Sequence, residues 1–537
     1  MVPCLSDVSL LRSIQLTSPR TIVVVLVLAI VTTIIAAVLL PRTVPATTRG
    51  STVDGPARPA ARTVLRAVGR CTARIVMVSV PVLLVIALGG LLINRPMHYV
   101  RTLGDVVKAA TPRTQVTSRI APLPQASAYD AVPAAAWKAS FHDVGDGSQE
   151  ATWTGPVSGI TLPVRVVLPA GYRPDDGRTY NVLVGLHGWV GDPQSLVTGI
   201  ASPQRLQEAI DAGRIPPSIL VFPSLNVDGG QPDCVNINGR PPVGTWTAEE
   251  IPRMIQATFP NVTTQRAGWM IMGISAGAYC AARTAYDVPE RFGAVGVMSS
   301  YDLPGEGSLA HSGRELQAQN GLSTMLGQRK PDGMRFYVLG AQDDSSGAAR
   351  AAWFMDDAVR KPDSLTVDTP ATGGHSWVLW NGYFPSLLTW WGSDPAVFKA
   401  AGVTAPQGDT WAKATAAGVK PLSETPKDQR VVGSVSPVRA MPFEINGLGT
   451  IIVAVVASLG ALGAVMFWSP RWGRRRDGGK RSVARLGGAI LGRVVVILVA
   501  AGLVAVTAGI GANASGGFYT SWRDLRASVR VNERAGK

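Results

Sequence analysis

Histidine is scarce in this sequence, with five in 537 residues. A catalytic base can therefore be sought by elimination. Cysteine is scarcer still, at four. Charge is missing altogether from four apolar runs, 21–40, 75–93, 448–468 and 494–511. Each is close to the roughly 20 residues that cross a bilayer. The first is long for a signal peptide and a second run follows it, so it reads as an anchor. With no acid or base inside them, the runs give no sign of a transport path. No internal repeat is evident beyond the pairing of these runs.

The middle of the chain also lacks the basic excess that the whole chain shows. The net charge is +15, yet residues 94–447 hold 29 basic and 31 acidic side chains. The excess sits in two short loops, 41–74 and 469–493, which carry seven and eight basic residues against one acid each. That distribution argues against nucleic-acid binding and reads as a topology signal. Both Arg-rich loops belong in the cytoplasm by the positive-inside rule, which puts both termini and the middle region outside. Membrane lipids, including anionic inner-leaflet lipid beside the loops, are the general partners this implies.

The layout is then a membrane region, 1–93, with spans 21–40 and 75–93 around the loop 41–74. A spacer rich in Ala, Pro and Thr covers 94–140, and a globular domain covers 141–400. A second spacer, 401–447, leads to the C-terminal membrane region, 448–537. Within 141–400 short apolar strands alternate with helical stretches. Val182-Leu183-Val184-Gly185-Leu186 is nearly continuous in apolar character, as buried parallel strands are. Thr247, with Glu250 three residues on, reads as a capping box opening a helix over 248–259. The fold class is α/β, a doubly wound and mainly parallel sheet covered on both faces.

One stretch carries the chemistry. Gly273-Ile274-Ser275-Ala276-Gly277 follows the apolar run Trp269-Met270-Ile271-Met272 and precedes a helical stretch of small residues. Strand, sharp turn and helix are the context of a nucleophile elbow, with Ser275 as nucleophile. A serine hydroxyl needs a base, and the base needs a carboxylate. The chain order in doubly wound hydrolases is Ser, acid, His. His142 and His187 precede the serine, His98 flanks a span, and His311 precedes the candidate acid. That leaves His375, in Gly373-Gly374-His375-Ser376-Trp377. The acid ends the strand before it, in Gln342-Asp343-Asp344; Asp343 is preferred and Asp344 is the alternative. Oxyanion donors are assigned to the backbone N–H groups of Ala276 and of Trp189, in Leu186-His187-Gly188-Trp189. Trp189, Trp246, Trp377 and Trp380 are candidate pocket residues. Cys234 and Cys280 either pair or are two separate buried thiols, and spacing alone leaves this open.

Leu168-Pro169-Ala170-Gly171-Tyr172, Leu186-His187-Gly188, the elbow and Gly373-Gly374-His375-Ser376-Trp377 resemble the Putative esterase family. This family contains esterase D-like enzymes, feruloyl esterases and mycobacterial mycolyltransferases. The resemblance implies an α/β-hydrolase fold and a Ser275–Asp343–His375 triad with no metal or cofactor. Cys234 and Cys280 resemble the cysteine pair of actinobacterial multi-span members, which implies a disulfide. Mycolyltransferases typically use Glu as the acid and are secreted without a four-span anchor, so trehalose mycolyl transfer is not the reaction expected. The expectation is a multi-pass plasma-membrane serine esterase acting outside the cytoplasm on a lipid or cell-envelope ester. The alternatives are an acyltransferase using the same triad and a non-catalytic membrane receptor or scaffold.

Overall fold

The computed structural model describes residues 14–44, 60–97, 102–104, 106, 119–189, 191–227, 233–430, 443–445, 447–472, 483–516, 519, 521–523 and 525–526. Much of both Arg-rich loops, most of 98–118 and 431–442, Cys4 and His98 lie outside them. The chain forms two compact units. One takes in Pro96–Arg439, and the other joins Gln15–Arg95 with Ala440–Gly516.

The first unit is built on a nine-stranded sheet. In chain order its strands are β1 (His142–Asp143), β2 (Gln149–Thr154), β3 (Thr161–Val167), β4 (Asn181–Leu186), β5 (Ser218–Pro223), β6 (Trp269–Ile274), β7 (Ala294–Met298), β8 (Arg335–Leu339) and β9 (Ser364–Asp368). Their order across the sheet is β1-β2-β3-β5-β4-β6-β7-β8-β9. Pairings from β1 to β5 through β3 are antiparallel, and those from β5 to β9 are parallel. Burial follows from this. Every residue of β4, β5, β6 and β7 is buried, because helices cover both faces. In β2, Ala151 and Trp153 point inward while Thr152 and Thr154 stay exposed, as expected near an antiparallel edge.

The helices that cover the two faces include α1 (Ser202–Asp211), α2 (Ile251–Thr258), α3 (Ala276–Asp287), α4 (Ala348–Ala358) and α5 (Trp377–Gly392). Val182, Val184, Ile271 and Val338 pack with apolar residues of α2, α3 and α4. Their strand neighbours Leu183, Met270, Met272 and Tyr337 pack on the other face with α1 and α5. The period-2 alternation of the strands thus feeds two cores. Chain order reverses at β4, which lies between β5 and β6. In open α/β sheets the crevice at such a reversal, beyond the carboxyl ends of the strands, is where ligands bind. Leu186 of β4 is paired with Gly273 of β6, so the loops after both strands emerge side by side.

The globular domain is wider than 141–400. Residues from 119 to 137 and from 401 to 430, read from composition as spacers, pack onto it. Tyr129 and Trp137 are buried, and the Trp137 ring lies 6.3 Å from that of Trp153. Ala414 and Val419 are buried, and Arg430 pairs with Asp356 at 2.8 Å. Composition averages over the few aromatic and aliphatic residues that do the anchoring, so it mistook these segments. The capping box at Thr247 is also absent. A π-helical turn, Trp246–Glu250, precedes α2, and the Thr247 hydroxyl donates back to the Val243 carbonyl at 3.0 Å. Glu250 is buried and accepts from the N–H groups of Val157 and Ser158, so a distant loop claims the carboxylate.

The second unit consists of four helices long and apolar enough to cross a membrane: Pro19–Thr43, Val68–Arg95, Leu448–Arg471 and Val483–Ala514. Its buried seam mixes the small residues Ala36, Ala37, Ala500 and Ala501 with Leu40, Val78, Val82, Val465 and Ile497. Close approach of small side chains is how apolar helices associate where the hydrophobic effect is weak. Arg493 donates to the carbonyls of Ala37 and Ser469, both at 3.1 Å, and to that of Trp472. Arg74 donates to the carbonyls of Thr43 and Met466, each at 3.2 Å. Two cations therefore serve carbonyls at helix C-terminal ends, where most backbone acceptors have lost their intrahelical partner; the Ser469 carbonyl also accepts from the Trp472 N–H at 3.1 Å.

Candidate active site

Ser275 sits between β6 and α3 at φ 56° and ψ −122°, a conformation L-residues avoid. Contacts show why glycine flanks it. A Cβ on Gly273 would lie 2.0 Å from the Gly277 carbonyl oxygen, and one on Gly277 would lie 2.1 Å from that of Leu186. The strained turn is clamped from the strand side too, because the Ser275 N–H donates to the Met298 carbonyl of β7 at 2.9 Å. The result is a hydroxyl at the first turn of α3, where the helix dipole favours negative charge.

His375 lies in the loop before α5. Its Nε2 is 2.9 Å from the Ser275 Oγ. Its Nδ1 is 2.9 Å from Oδ2 of Asp344. The ring of Trp380 meets the imidazole edge-on, with centroids 5.1 Å apart, and the Trp380 indole N–H is itself fixed on the Ser299 hydroxyl at 2.9 Å. Asp344 is 4 % exposed. Burial alone would raise its carboxyl. The bond to His375, its charge, and the Ser346 N–H and hydroxyl on Oδ1 outweigh burial and hold it below the ordinary range.

The structure differs here from the sequence expectation. Asp343, preferred as the acid, does not face the imidazole; its carboxylate accepts from the N–H groups of Gly373 at 3.2 Å and Gly374 at 2.8 Å. The loop after β8 turns at this point, with the Asp344 N–H bonded to the Ala341 carbonyl. That turn carries Asp344 rather than Asp343 to the histidine. A count of residues from the end of β8 has no access to it.

On the other side of the elbow, the loop after β4 comes close. A Cβ on Gly188 would stand 3.2 Å from the Ser275 Cβ. Ala276 opens α3, and Trp189 is half-buried beside Gly188. His187 is fully buried and faces away from the serine chain. Its Nε2 accepts from the Leu225 N–H at 2.9 Å, so Nδ1 carries the proton and donates to the Gly188 carbonyl at 2.9 Å. It shapes this loop. Of the tryptophans considered for a pocket, Trp246 is core, its indole N–H on the Ser224 carbonyl at 3.0 Å, and Trp380 is core behind His375. Trp377 stays half-exposed and stacks edge-on with Trp380 at 5.0 Å.

Cys234 and Cys280 are joined in a disulfide with Cα atoms 5.0 Å apart. Cys280 lies on α3, one helical turn beyond the elbow. Among the described residues no group of three or more His, Cys, Asp and Glu side chains has a metal-holding arrangement.

Fold and elbow together define a serine esterase of the α/β-hydrolase class. Residues 158–390 match the model of the Putative esterase family. Among curated proteins no sequence match is found. Solved structures similar to it include a ferulic acid esterase, 19% identical, covering 45% of this chain and 97% of that one with a TM-score of 0.39. An S-formylglutathione hydrolase from Agrobacterium tumefaciens is 15% identical, covering 47% and 97% with a TM-score of 0.38. Fluorophosphonate-binding serine hydrolase F of Staphylococcus aureus is 13% identical, covering 47% and 98% with a TM-score of 0.36.

Proposed function

We propose that the protein is a membrane-anchored serine hydrolase that cleaves a lipid or cell-envelope ester outside the cytoplasm. The observation that carries the reading is the unbroken chain from Asp344 through His375 to Ser275, with 2.9 Å at both links, on a strained elbow. His375 takes the proton of the Ser275 hydroxyl as Oγ attacks the ester carbonyl. Asp344 holds the ring in the tautomer with Nε2 free and stabilises the imidazolium. The N–H groups of Ala276 and Trp189 receive the oxyanion. Collapse expels the alcohol, which takes the proton from His375, and water then resolves the acyl-enzyme by the same steps.

The location rests on separate support. Four helices suit a bilayer by length and apolarity. The arginines cluster in the two loops that would face the cytoplasm. A disulfide in the hydrolase domain suits an oxidising compartment. An anchored domain meets substrates at the membrane or in the envelope, which favours a lipid or cell-wall ester.

The test is labelling of the full-length protein in membranes with a fluorophosphonate probe. Wild type labels, and Ser275→Ala and His375→Ala do not. A wild type that stays unlabelled overturns the hydrolase reading and favours a receptor or scaffold.

A further inference from the structure

Two adjacent carboxylates follow β8, and the mechanism above uses only Asp344. The other is equally engaged. Asp343 gathers the N–H groups of two successive residues, Gly373 and Gly374. Successive N–H groups converging on one carboxylate form a small anion-binding concavity. Gly373 and Gly374 have φ values of 149° and 59°, which L side chains rarely adopt. The far end of the same loop is fixed as well. The Ser376 hydroxyl donates to the Gly373 carbonyl at 2.7 Å, and as N-cap of α5 it accepts from the Leu379 N–H at 3.3 Å. His375 lies between these two restraints. The ring itself is held elsewhere: Nδ1 by Asp344, with the Ser346 hydroxyl 3.5 Å from the same nitrogen, and the ring edge by Trp380.

We infer that Asp343 is a positioning residue: it fixes the backbone of the loop that carries His375, so that the imidazole spans Ser275 and Asp344. The two carboxylates divide one task. Asp344 holds the ring, and Asp343 holds the peptide from which the ring projects. The bonds of Asp343 go to the backbone on either side of the Gly373–Gly374 peptide, so it acts through His375, and the inference rests on the Ser275–His375–Asp344 reading. A base displaced by about 1 Å costs on the order of 100-fold in rate, so a backbone clamp here has kinetic weight.

The experiment uses the full-length chain in detergent, with p-nitrophenyl acetate as substrate and fluorophosphonate labelling rate as a second readout. Variants are Asp343→Ala, Asp343→Asn, Asp344→Asn, the Asp343→Ala/Asp344→Asn pair and Ser275→Ala. Asp344→Asn loses about 10⁴-fold in kcat. Asp343→Ala loses about 10- to 100-fold in kcat with KM within about twofold. Asp343→Asn, which keeps one acceptor oxygen, falls between it and wild type. In the double variant the combined loss is smaller than the product of the two single losses, because both act through one histidine. Wild-type kcat in Asp343→Ala, a change confined to KM, or fully multiplicative losses overturn the inference. If Asp343→Ala does not fold, wild-type kcat in Asp343→Asn overturns it. Unchanged hydrolysis and labelling in Ser275→Ala and Asp344→Asn sink the underlying triad, and the inference with it. Loss in those two beside an unaffected Asp343→Ala sinks the inference alone.

Discussion

At the scale of single residues, two buried carboxylates pull the pH dependence of stability in opposite directions. Asp344 is held below the ordinary range by His375 and Ser346 against the effect of burial. Its contribution is therefore present above that range and lost below it, as pH falls through the lowered folded value. Asp368, at the end of β9, is fully buried and behaves the other way. Burial raises its carboxyl to about 6, against the Tyr337 hydroxyl at 2.7 Å and the Ser423 N–H at 3.0 Å that favour its charge. The folded protein thus holds this proton more tightly than the unfolded chain. Its contribution is complete below the ordinary carboxyl range and disappears as pH rises through about 6. The shift corresponds to about 3 kcal/mol. Thermal midpoints of the full-length protein in detergent should fall between pH 4 and about 7, and Asp368→Asn should flatten that fall. An unchanged slope in the variant would remove Asp368 as the cause. Nothing in the sequence marks Asp368, because its burial depends on Ser423 and Lys420 returning from a segment read as spacer. Ser275 and His375 were legible, the first from its glycines and the second by elimination among five histidines. The choice between Asp343 and Asp344 was not, since one turn of backbone decides it.

At the scale of elements, the disulfide ties the connection after β5 to the helix that starts at the nucleophile. Cys234 follows Asp233, which accepts from the Ser308 N–H and hydroxyl and pairs with Arg240. The bond closes a loop of 46 residues between β5 and α3. Cross-links over such loops typically contribute about 2–4 kcal/mol, chiefly by constraining the unfolded chain. Replacing both cysteines with serine should lower the thermal midpoint, and reductant should lower that of wild type alone. A midpoint unmoved by both treatments would mean that the hydrogen bonds of Asp233 suffice. The central elements were legible because short continuous apolar runs such as β4, bounded by turn residues, suit a strand covered on both faces. The strands β1 and β2 were missed. β1 is two residues long, and β2 buries only Ala151 and Trp153. The π-helical turn before α2 was missed for a different reason. Thr247 and Glu250 have capping-box spacing, but the core takes Glu250 for the loop at 157–158.

At the scale of the whole molecule, the balance of charge carries the strongest claim, and it is one about direction. Residues 94–447 are close to neutral while the two loops between paired spans hold almost all the basic excess. Translocating such a loop costs energy at every arginine, so the orientation that leaves both inside is favoured. Arg74 and Arg493 agree with this in detail. Each caps carbonyls at the C-terminal ends of the first and third of the four apolar helices, so the arginine-rich ends of all four gather on one side of their unit. With two candidate spans on each side of it in the sequence, that orientation would place the hydrolase domain outside the cytoplasm, as the proposed function requires. Protease added to intact spheroplasts should degrade the hydrolase domain and leave epitopes inserted in 41–74 and 473–482 untouched until the membrane is opened. The opposite pattern, protected domain and exposed loops, would invert the topology. It would place the disulfide in a reducing compartment and leave the esterase facing cytoplasmic substrates instead of the envelope.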